Sequence, residues 1–275
     1  MKKITIKDIQ KLKGGESPLA TVTAYDYVSA QNADAVDIPL ILVGDSAAMV
    51  VYGMDTTIPI SMEELIFLVR AVRRGSEKAL VVADMPFMSY QVSTEDAVRN
   101  AGRFVKEGGA EAVKLEGGTP YIFQIKAIID AGIPVMGHVG LLPQSYNLSS
   151  GYRIQGKTQL EADKIYADAL AVQESGAFAI VLEGIPENLA EKITKSLDIP
   201  TIGIGAGPHC DGQIQVYHDI LGLYGDIIPR HTRRYGDLGV QIQSMLTEYK
   251  EDVEKRKFPT SENYITTKNI TQEIH

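Results

Sequence analysis

Short β-branched runs, each followed by a clearly punctuated helix, recur along the 275 residues and restrict the possible folds more than any other feature. The runs are Leu19–Thr23 (LATVT), Leu40–Val43 (LILV), Ala79–Ala83 (ALVVA), Ala112–Leu115 (AVKL), Pro134–Gly137 (PVMG), Ala179–Leu182 (AIVL) and Thr201–Ile204 (TIGI). Runs apolar on both faces suit parallel strands covered on both sides. An eighth run, Ile214–Tyr217 (IQVY), starts only 13 residues after the seventh (214 − 201), too few for a full helical crossover, so a turn or a short helix fills the gap.

The helices between the runs carry start and stop signals. Ser61 with Glu64 forms a capping box ahead of LIFLVRAVRRG, and Thr158 with Glu161 repeats it before a helix ending near Gly176. Ser93 opens a helix closed by Gly108, while Thr119-Pro120 supplies an N-cap and a first-turn proline for a helix ending at Gly132. Strand then helix, repeated, builds right-handed parallel units. The expected fold is a single α/β domain, a (β/α)8 TIM barrel over residues 1–250, with a polar tail over 251–275; an open doubly wound sheet is the alternative. One echo stands out: Val105–Gly117 (VKEGGAEAVKLEG) and Val172–Gly184 (VQESGAFAIVLEG) match at an offset of 67 (172 − 105), pairing Glu116 with Glu183.

Charge and cysteine content exclude several classes. Lys+Arg 27 against Asp+Glu 35 gives −8, the opposite of the basic footprint of a nucleic-acid binder. The lone Cys210 forms no internal disulfide, which suits a reducing compartment. MKKITIKDIQKLKGGE has no apolar run after its basic pair, so it does not read as a signal peptide, and nothing approaches ~18 uninterrupted apolar residues. A soluble, cytoplasmic protein is expected, with neither membrane nor nucleic acid involved.

In a parallel barrel, chemistry gathers at the carboxyl ends of the strands. Those ends read Gly44-Asp45-Ser46, Asp84-Met85-Pro86, Lys114-Leu115-Glu116-Gly117, His138-Val139-Gly140-Leu141, Glu183-Gly184-Ile185 and Gly203-Ile204-Gly205-Ala206-Gly207. With 35 acids in 275 residues, chance puts about one acid at eight tips; Asp45, Asp84, Glu116 and Glu183 make four. Converging carboxylates repel and raise one another's pKa unless a cation compensates. Oxygen-only donors point to a hard divalent ion, magnesium ahead of manganese, and one histidine is too few for zinc. Period two puts Lys114 and Glu116 on one face, making Lys114 a candidate partner for an anionic substrate group.

Blander roles remain open for each residue. Asp45 before Ser46 suits a helix N-cap, and Asp84 suits a strand end. Lys114 and Glu116 suit a structural ion pair, His138 a core histidine and Glu183 a loop carboxylate. Gly203–Gly207 is not a GxGxxG motif, and His209, His218, His231, His275 and Cys210 receive no role.

The same segments resemble the ketopantoate hydroxymethyltransferase family. The matching stretches are VTAYDYVSAQNADAVDIPLILVGDSAAMVVYGMDTTIPISMEEL, VVADMPFMSY, EAVKLEGG, PVMGHVGLLPQS and TIGIGAGPHCDGQIQVYHD, which lie in order between residues 21 and 219. The resemblance implies a (β/α)8 barrel assembled as a homodecamer and one magnesium ion per subunit. It also implies 3-methyl-2-oxobutanoate as substrate, 5,10-methylenetetrahydrofolate as one-carbon donor and ketopantoate, a pantothenate precursor, as product. Carried onto this chain, Asp45 and Asp84 resemble metal ligands, with Glu116 in the same metal shell. Asp45, Ser46, Asp84 and Lys114 match positions that hold the oxo acid. Glu183 matches the proton acceptor, and His138 falls in the pocket. Val51–Pro59, rich in Gly and Thr, suits a lid.

Two rivals stand beside this reading. One is a magnesium-dependent oxo-acid enzyme of the phosphoenolpyruvate mutase or isocitrate lyase type, whose cysteine-bearing loop has no counterpart here. The other is a non-catalytic sensor barrel, which needs a cation and Lys114 but no proton acceptor such as Glu183.

Overall fold

The computed structural model describes residues 3–225 and 229–265. The chain opens with α1 (Ile6–Gln10), β1 (Leu19–Thr23), α2 (Tyr27–Ala35), β2 (Leu40–Val43), α3 (Ala47–Val50), α4 (Met62–Gly75) and β3 (Leu80–Asp84). It continues through α5 (Thr94–Arg103), β4 (Ala112–Lys114), α6 (Ile122–Asp130), β5 (Val135–Gly140), α7 (Tyr146–Ser149), α8 (Gln159–Glu174) and β6 (Ala179–Glu183). The last elements are α9 (Glu187–Ser196), β7 (Thr201–Ile204), β8 (Gly212–Gln215), α10 (Tyr217–Leu221) and α11 (Leu238–Glu254). All eight strands pair in parallel, in chain order, and β8 closes on β1, giving the (β/α)8 barrel.

The strand pattern explains where the polar groups fall. Leu80 and Val82, Ala112, Met136, Ala179 and Val181 belong to one buried apolar cluster with Leu42, Ile202 and Ile214. Alternate residues of a strand share a face. The next residue on that face is Asp84 in β3, Lys114 in β4, His138 in β5 and Glu183 in β6, so apolar layers give way to an ionisable one at the carboxyl ends.

The opposite end is closed by α1. Thr5 and Asp8 cap it reciprocally, Ile9 is fully buried in the apolar cluster, and the Ile4 N–H donates to the Lys78 carbonyl just ahead of β3.

The capping boxes at Ser61–Glu64 and Thr158–Glu161 form as the sequence predicts, and Ser93 caps α5. Other expectations are corrected. Thr119 does not cap α6. It begins a 3-10 turn, Thr119–Tyr121, and its N–H and hydroxyl both donate to Asp168 Oδ1, because a buried carboxylate on α8 competes for them. The helix after Ser93 changes to a π turn at Phe104–Gly108 and terminates on Gly109, whose φ of 80° is left-handed. β5 extends three residues beyond Gly137, which puts His138 inside the strand. β8 begins two residues before Ile214, and the β7–β8 link is a turn without a helix. In the internal echo, β6 runs through Glu183 whereas β4 stops at Lys114, two residues short of Glu116.

Two compact units can be delimited. The first comprises described residues 3–217 and 229–232, and contains the whole barrel. The second comprises described residues 218–225 and 233–265, in which Tyr235 N–H donates to the Ile220 carbonyl and α11 exposes Val240, Met245 and Leu246. The expected tail starts at Glu251, within α11, and its residues 266–275 lie outside the described residues. Among the described residues, no helix is long and apolar enough to cross a membrane.

Gly102 offers a direct stability test. It lies in α5, and an added Cβ would meet no atom within 4 Å. Gly102→Ala is therefore expected to raise unfolding free energy by about 0.5–1 kcal/mol, read as a higher denaturation midpoint at unchanged m-value.

Candidate active site

Five strand ends bring the expected residues together at one mouth. Asp45 follows β2 and is 4% exposed; Asp84 ends β3, Lys114 ends β4, Glu116 lies two residues beyond it, and all are buried. His138 from β5 is buried as well, while Glu183, ending β6, keeps 19% of its side chain exposed. Two glycines allow this crowding. A Cβ on Gly44 would lie 2.8 Å from Ser46 Oγ, and one on Gly140, where φ is 100°, would lie 2.3 Å from the Glu183 carbonyl oxygen.

The ion pair at the centre joins Lys114 Nζ to Asp84 Oδ1 at 2.7 Å, across a register that sets the two residues side by side. Lys114 thus pairs with Asp84, not with Glu116. Burial opposes the Lys114 charge, but Asp84, Glu116 and Asp45 around it outweigh burial and hold its pKa above the ordinary lysine value. Asp84 Oδ2 also accepts the Asp45 N–H at 3.2 Å. Asp45 is not an N-cap: Ser46 holds that position before α3 without a side-chain cap bond, and its hydroxyl lies 2.8 Å from Tyr25 Oη.

The remaining carboxyls are strained toward neutrality. Burial, reinforced by Asp84, pushes Asp45 up to about 7. Burial and then Asp45 raise Glu116 well above the usual carboxylate range. Burial also pushes Glu183 up to about 7, against the pull of Lys114 and His231. His138 sits between two of them, with Nε2 3.3 Å from Glu183 Oε2 and Nδ1 3.7 Å from Glu116 Oε1. Burial and the nearby Lys114 charge hold its pKa well below the ordinary histidine value, so the ring is neutral at pH 7.

Among the described residues, no group of three or more Asp, Glu, His or Cys side chains stands ready as a metal cage. The donor chemistry nonetheless fits a hard divalent cation. Asp45, Asp84 and Glu116 offer only carboxylate oxygens, and Glu116 Oε1 is buried without a hydrogen-bond partner. Burial first and like-charge crowding second raise the pKa values of Asp45 and Glu116, and a cation held between them would oppose both effects.

Several residues at the mouth carried no signal in the sequence. Gln144 and Tyr90 bond directly to these carboxylate-bearing segments, and His231, exposed on residues 229–232, adds positive potential at Glu183. Tyr152 is pushed up to about 12 by burial and by Asp45, Tyr146 and Glu183, and stands edge to face with Tyr146 at 5.0 Å. Neutral side chains on loops lack the charge excess that marks the strand tips, although Gln144 lies in the matching stretch PVMGHVGLLPQS and Tyr90 ends the matching stretch VVADMPFMSY.

Comparison with known proteins adds a separate line. The family model described as ketopantoate hydroxymethyltransferase matches residues 3–261. A 3-methyl-2-oxobutanoate hydroxymethyltransferase from Dehalococcoides mccartyi (strain CBDB1) is 51% identical over 271 residues, which cover 98% of this chain and 97% of the relative. One with the same description from Chloroflexus aurantiacus (strain ATCC 29366 / DSM 635 / J-10-fl) is 53% identical over 261 residues, covering 95% and 92%. Among solved structures, a phosphonopyruvate hydrolase aligns with a TM-score of 0.62 at 13% identity, covering 99% of this chain and 94% of that one, a likeness of fold alone.

Proposed function

The chain belongs to the ketopantoate hydroxymethyltransferase family of transferases, and on that premise we propose that its barrel mouth adds a hydroxymethyl group to C3 of 3-methyl-2-oxobutanoate. The donor is 5,10-methylenetetrahydrofolate and the product is 2-dehydropantoate (ketopantoate), used for pantothenate synthesis. One observation carries the proposal: a carboxyl tuned to about 7, Glu183, shares a mouth with a buried lysine and three further carboxyls.

The new C–C bond requires a proton to leave C3, next to the 2-oxo group. A general base works best with a pKa near the working pH, and burial brings Glu183 there. Glu183 Oε takes the C3 proton, and C3 then bonds to the methylene carbon as the first of its two C–N bonds to the folate breaks. Water displaces the second folate nitrogen and supplies the hydroxyl oxygen, while the C3 proton and the spare water proton pass to the two freed nitrogens. Lys114 pairs with the substrate carboxylate and fixes its orientation, with Asp84 holding the ammonium in place at 2.7 Å. Ser46, held by Tyr25 Oη, donates to the oxo acid beside Asp45. Neutral His138 buttresses Glu183 at 3.3 Å without competing for the proton at pH 7. Asp45, Asp84 and Glu116 would hold magnesium. When bound, the ion supplies the positive charge that offsets the negative charge developing as C3 is deprotonated. Val51–Pro59 acts as the lid that keeps water out.

The wider reading keeps one catalytic domain over 1–250 with a tail over 251–275, in a cytoplasmic homodecamer. The family resemblance supports the assembly, which light scattering of the purified chain tests.

The pH dependence tests the base. Glu183 must be deprotonated to act, so deuterium exchange at C3 should rise with pH through about 7 and level off above it. The stability effect has the opposite sign. Its folded pKa lies above the unfolded value of about 4.3, so the native state holds the extra proton between the two, and Glu183 makes folding less favourable as pH rises across that window. Exchange that is flat from pH 5 to 9 would remove Glu183 from the role (both ends are about 2 units from its value).

A further inference from the structure

Gln144 lies in the 3-10 turn Pro143–Ser145, directly beyond β5, and is 4% exposed. Its carboxamide Nε2 donates to Asp45 Oδ2 at 3.0 Å and to the Met85 carbonyl at 2.9 Å. Its Oε1 faces Tyr90 Oη at 2.9 Å and accepts from Gln91 Nε2 at 3.3 Å. Its main-chain N–H donates to Glu116 Oε2 at 3.0 Å.

These partners fix the amide orientation. The Asp45 carboxylate oxygen and the Met85 carbonyl both demand the NH2 group, and the donating Gln91 amide demands the oxygen. Tyr90 Oη accepts the Glu116 N–H at 3.2 Å, and its single proton serves either Gln144 Oε1 or the Glu116 carbonyl oxygen at 3.0 Å. One neutral residue from the β5 loop therefore ties together the ends of β2, β3 and β4, the strands that lead to Asp45, Asp84 and Glu116.

The chemistry of the tie is selective. A lysine at this position would compete with a cation, and a glutamate would add a further like charge beside Asp45. A carboxamide donates to one carboxylate oxygen and leaves the charge in place. The main-chain bond engages Glu116 Oε2 and leaves Oε1, which is buried without a hydrogen-bond partner.

We propose that Gln144 is a positioning residue: it holds Asp45 and Glu116 in the arrangement that takes up a divalent cation. This rests on the reading of those two carboxylates as cation ligands. Partners that orient metal ligands from behind typically change metal affinity by 10- to 100-fold when lost.

The test is calorimetric titration of the full chain with magnesium alone, for the wild type, Gln144→Met and Asp45→Asn. Gln144→Met keeps the side-chain length but makes none of the four side-chain contacts, and its magnesium affinity should fall by about 10- to 100-fold. Raising magnesium should then restore kcat, whereas a general packing defect is not repaired by the ion. If Gln144→Met does not fold, Tyr90→Phe serves instead. It removes the hydroxyl that faces Oε1 while keeping the ring against Tyr121, and it should weaken magnesium in the same direction. Asp45→Asn separates the two readings. If it loses magnesium while Gln144→Met (or Tyr90→Phe in its place) binds like the wild type, the Gln144 assignment is overturned and the cation reading stands. If Asp45→Asn also binds like the wild type, the cation reading fails and the Gln144 assignment fails with it.

Discussion

Glu183→Gln should lower ketopantoate formation by about a hundredfold to ten-thousandfold, the range general-base catalysis supplies, while magnesium and oxo-acid affinities stay nearly unchanged. The amide has the size of the carboxyl but accepts no proton at its nitrogen and carries no charge. It still reaches His138 Nε2, now 3.3 Å from Glu183 Oε2, so the ring keeps a neighbour. Removing a largely enclosed carboxyl already pushed up to about 7 does not strip the fold of a favourable charge, so the variant should be at least as stable as the wild type near neutral pH. The informative comparison is kcat against binding measured by calorimetry. A sensor barrel would show the binding in both proteins and turnover in neither. Wild-type turnover in Glu183→Gln would assign the proton to another group.

Asp84→Ala should have the largest combined effect on stability and binding. Asp84 accepts from Lys114 Nζ at 2.7 Å and from the Asp45 N–H at 3.2 Å, and both acidic and basic side chains are at most 5% exposed. Taking away one member of a buried pair leaves the other charge uncompensated, which costs about 3–5 kcal/mol. For a chain of this size the midpoint of thermal unfolding should fall by roughly 10 °C. Below that midpoint the folded variant should lose magnesium-dependent binding of the oxo acid, because the proposed ligand and the group that pairs with Lys114 disappear together. Asp84→Asn keeps the shape and should recover part of the stability without recovering the binding. Wild-type titration by folded Asp84→Ala would contradict its role in the site.

How much of this was readable beforehand follows from the periods of the elements. Strand tips were legible because the apolar alternation of a barrel strand continues past its last apolar residue: Val82 leads to Asp84, Met136 to His138, Val181 to Glu183. The capping boxes were legible because Ser61–Glu64 and Thr158–Glu161 are local in sequence. Thr119 misled because its competitor, Asp168, is 49 residues away and enters only when α8 packs. Lys114 and Glu116 looked like a pair because they share a face, yet the neighbouring strand offers Asp84 at the same level and takes the lysine. Gln144, Tyr90 and the α1 plug were invisible as functional or structural parts, since uncharged side chains and a five-residue helix leave no statistical excess to notice.

The most direct measurement mixes the full chain with 3-methyl-2-oxobutanoate, magnesium and 5,10-methylenetetrahydrofolate and follows the products by mass spectrometry. The barrel mouth described above predicts ketopantoate that accumulates with time, depends on both the folate and the metal, and collapses with Glu183→Gln. Binding of the oxo acid with no ketopantoate formed under any of these conditions would contradict a hydroxymethyltransferase site.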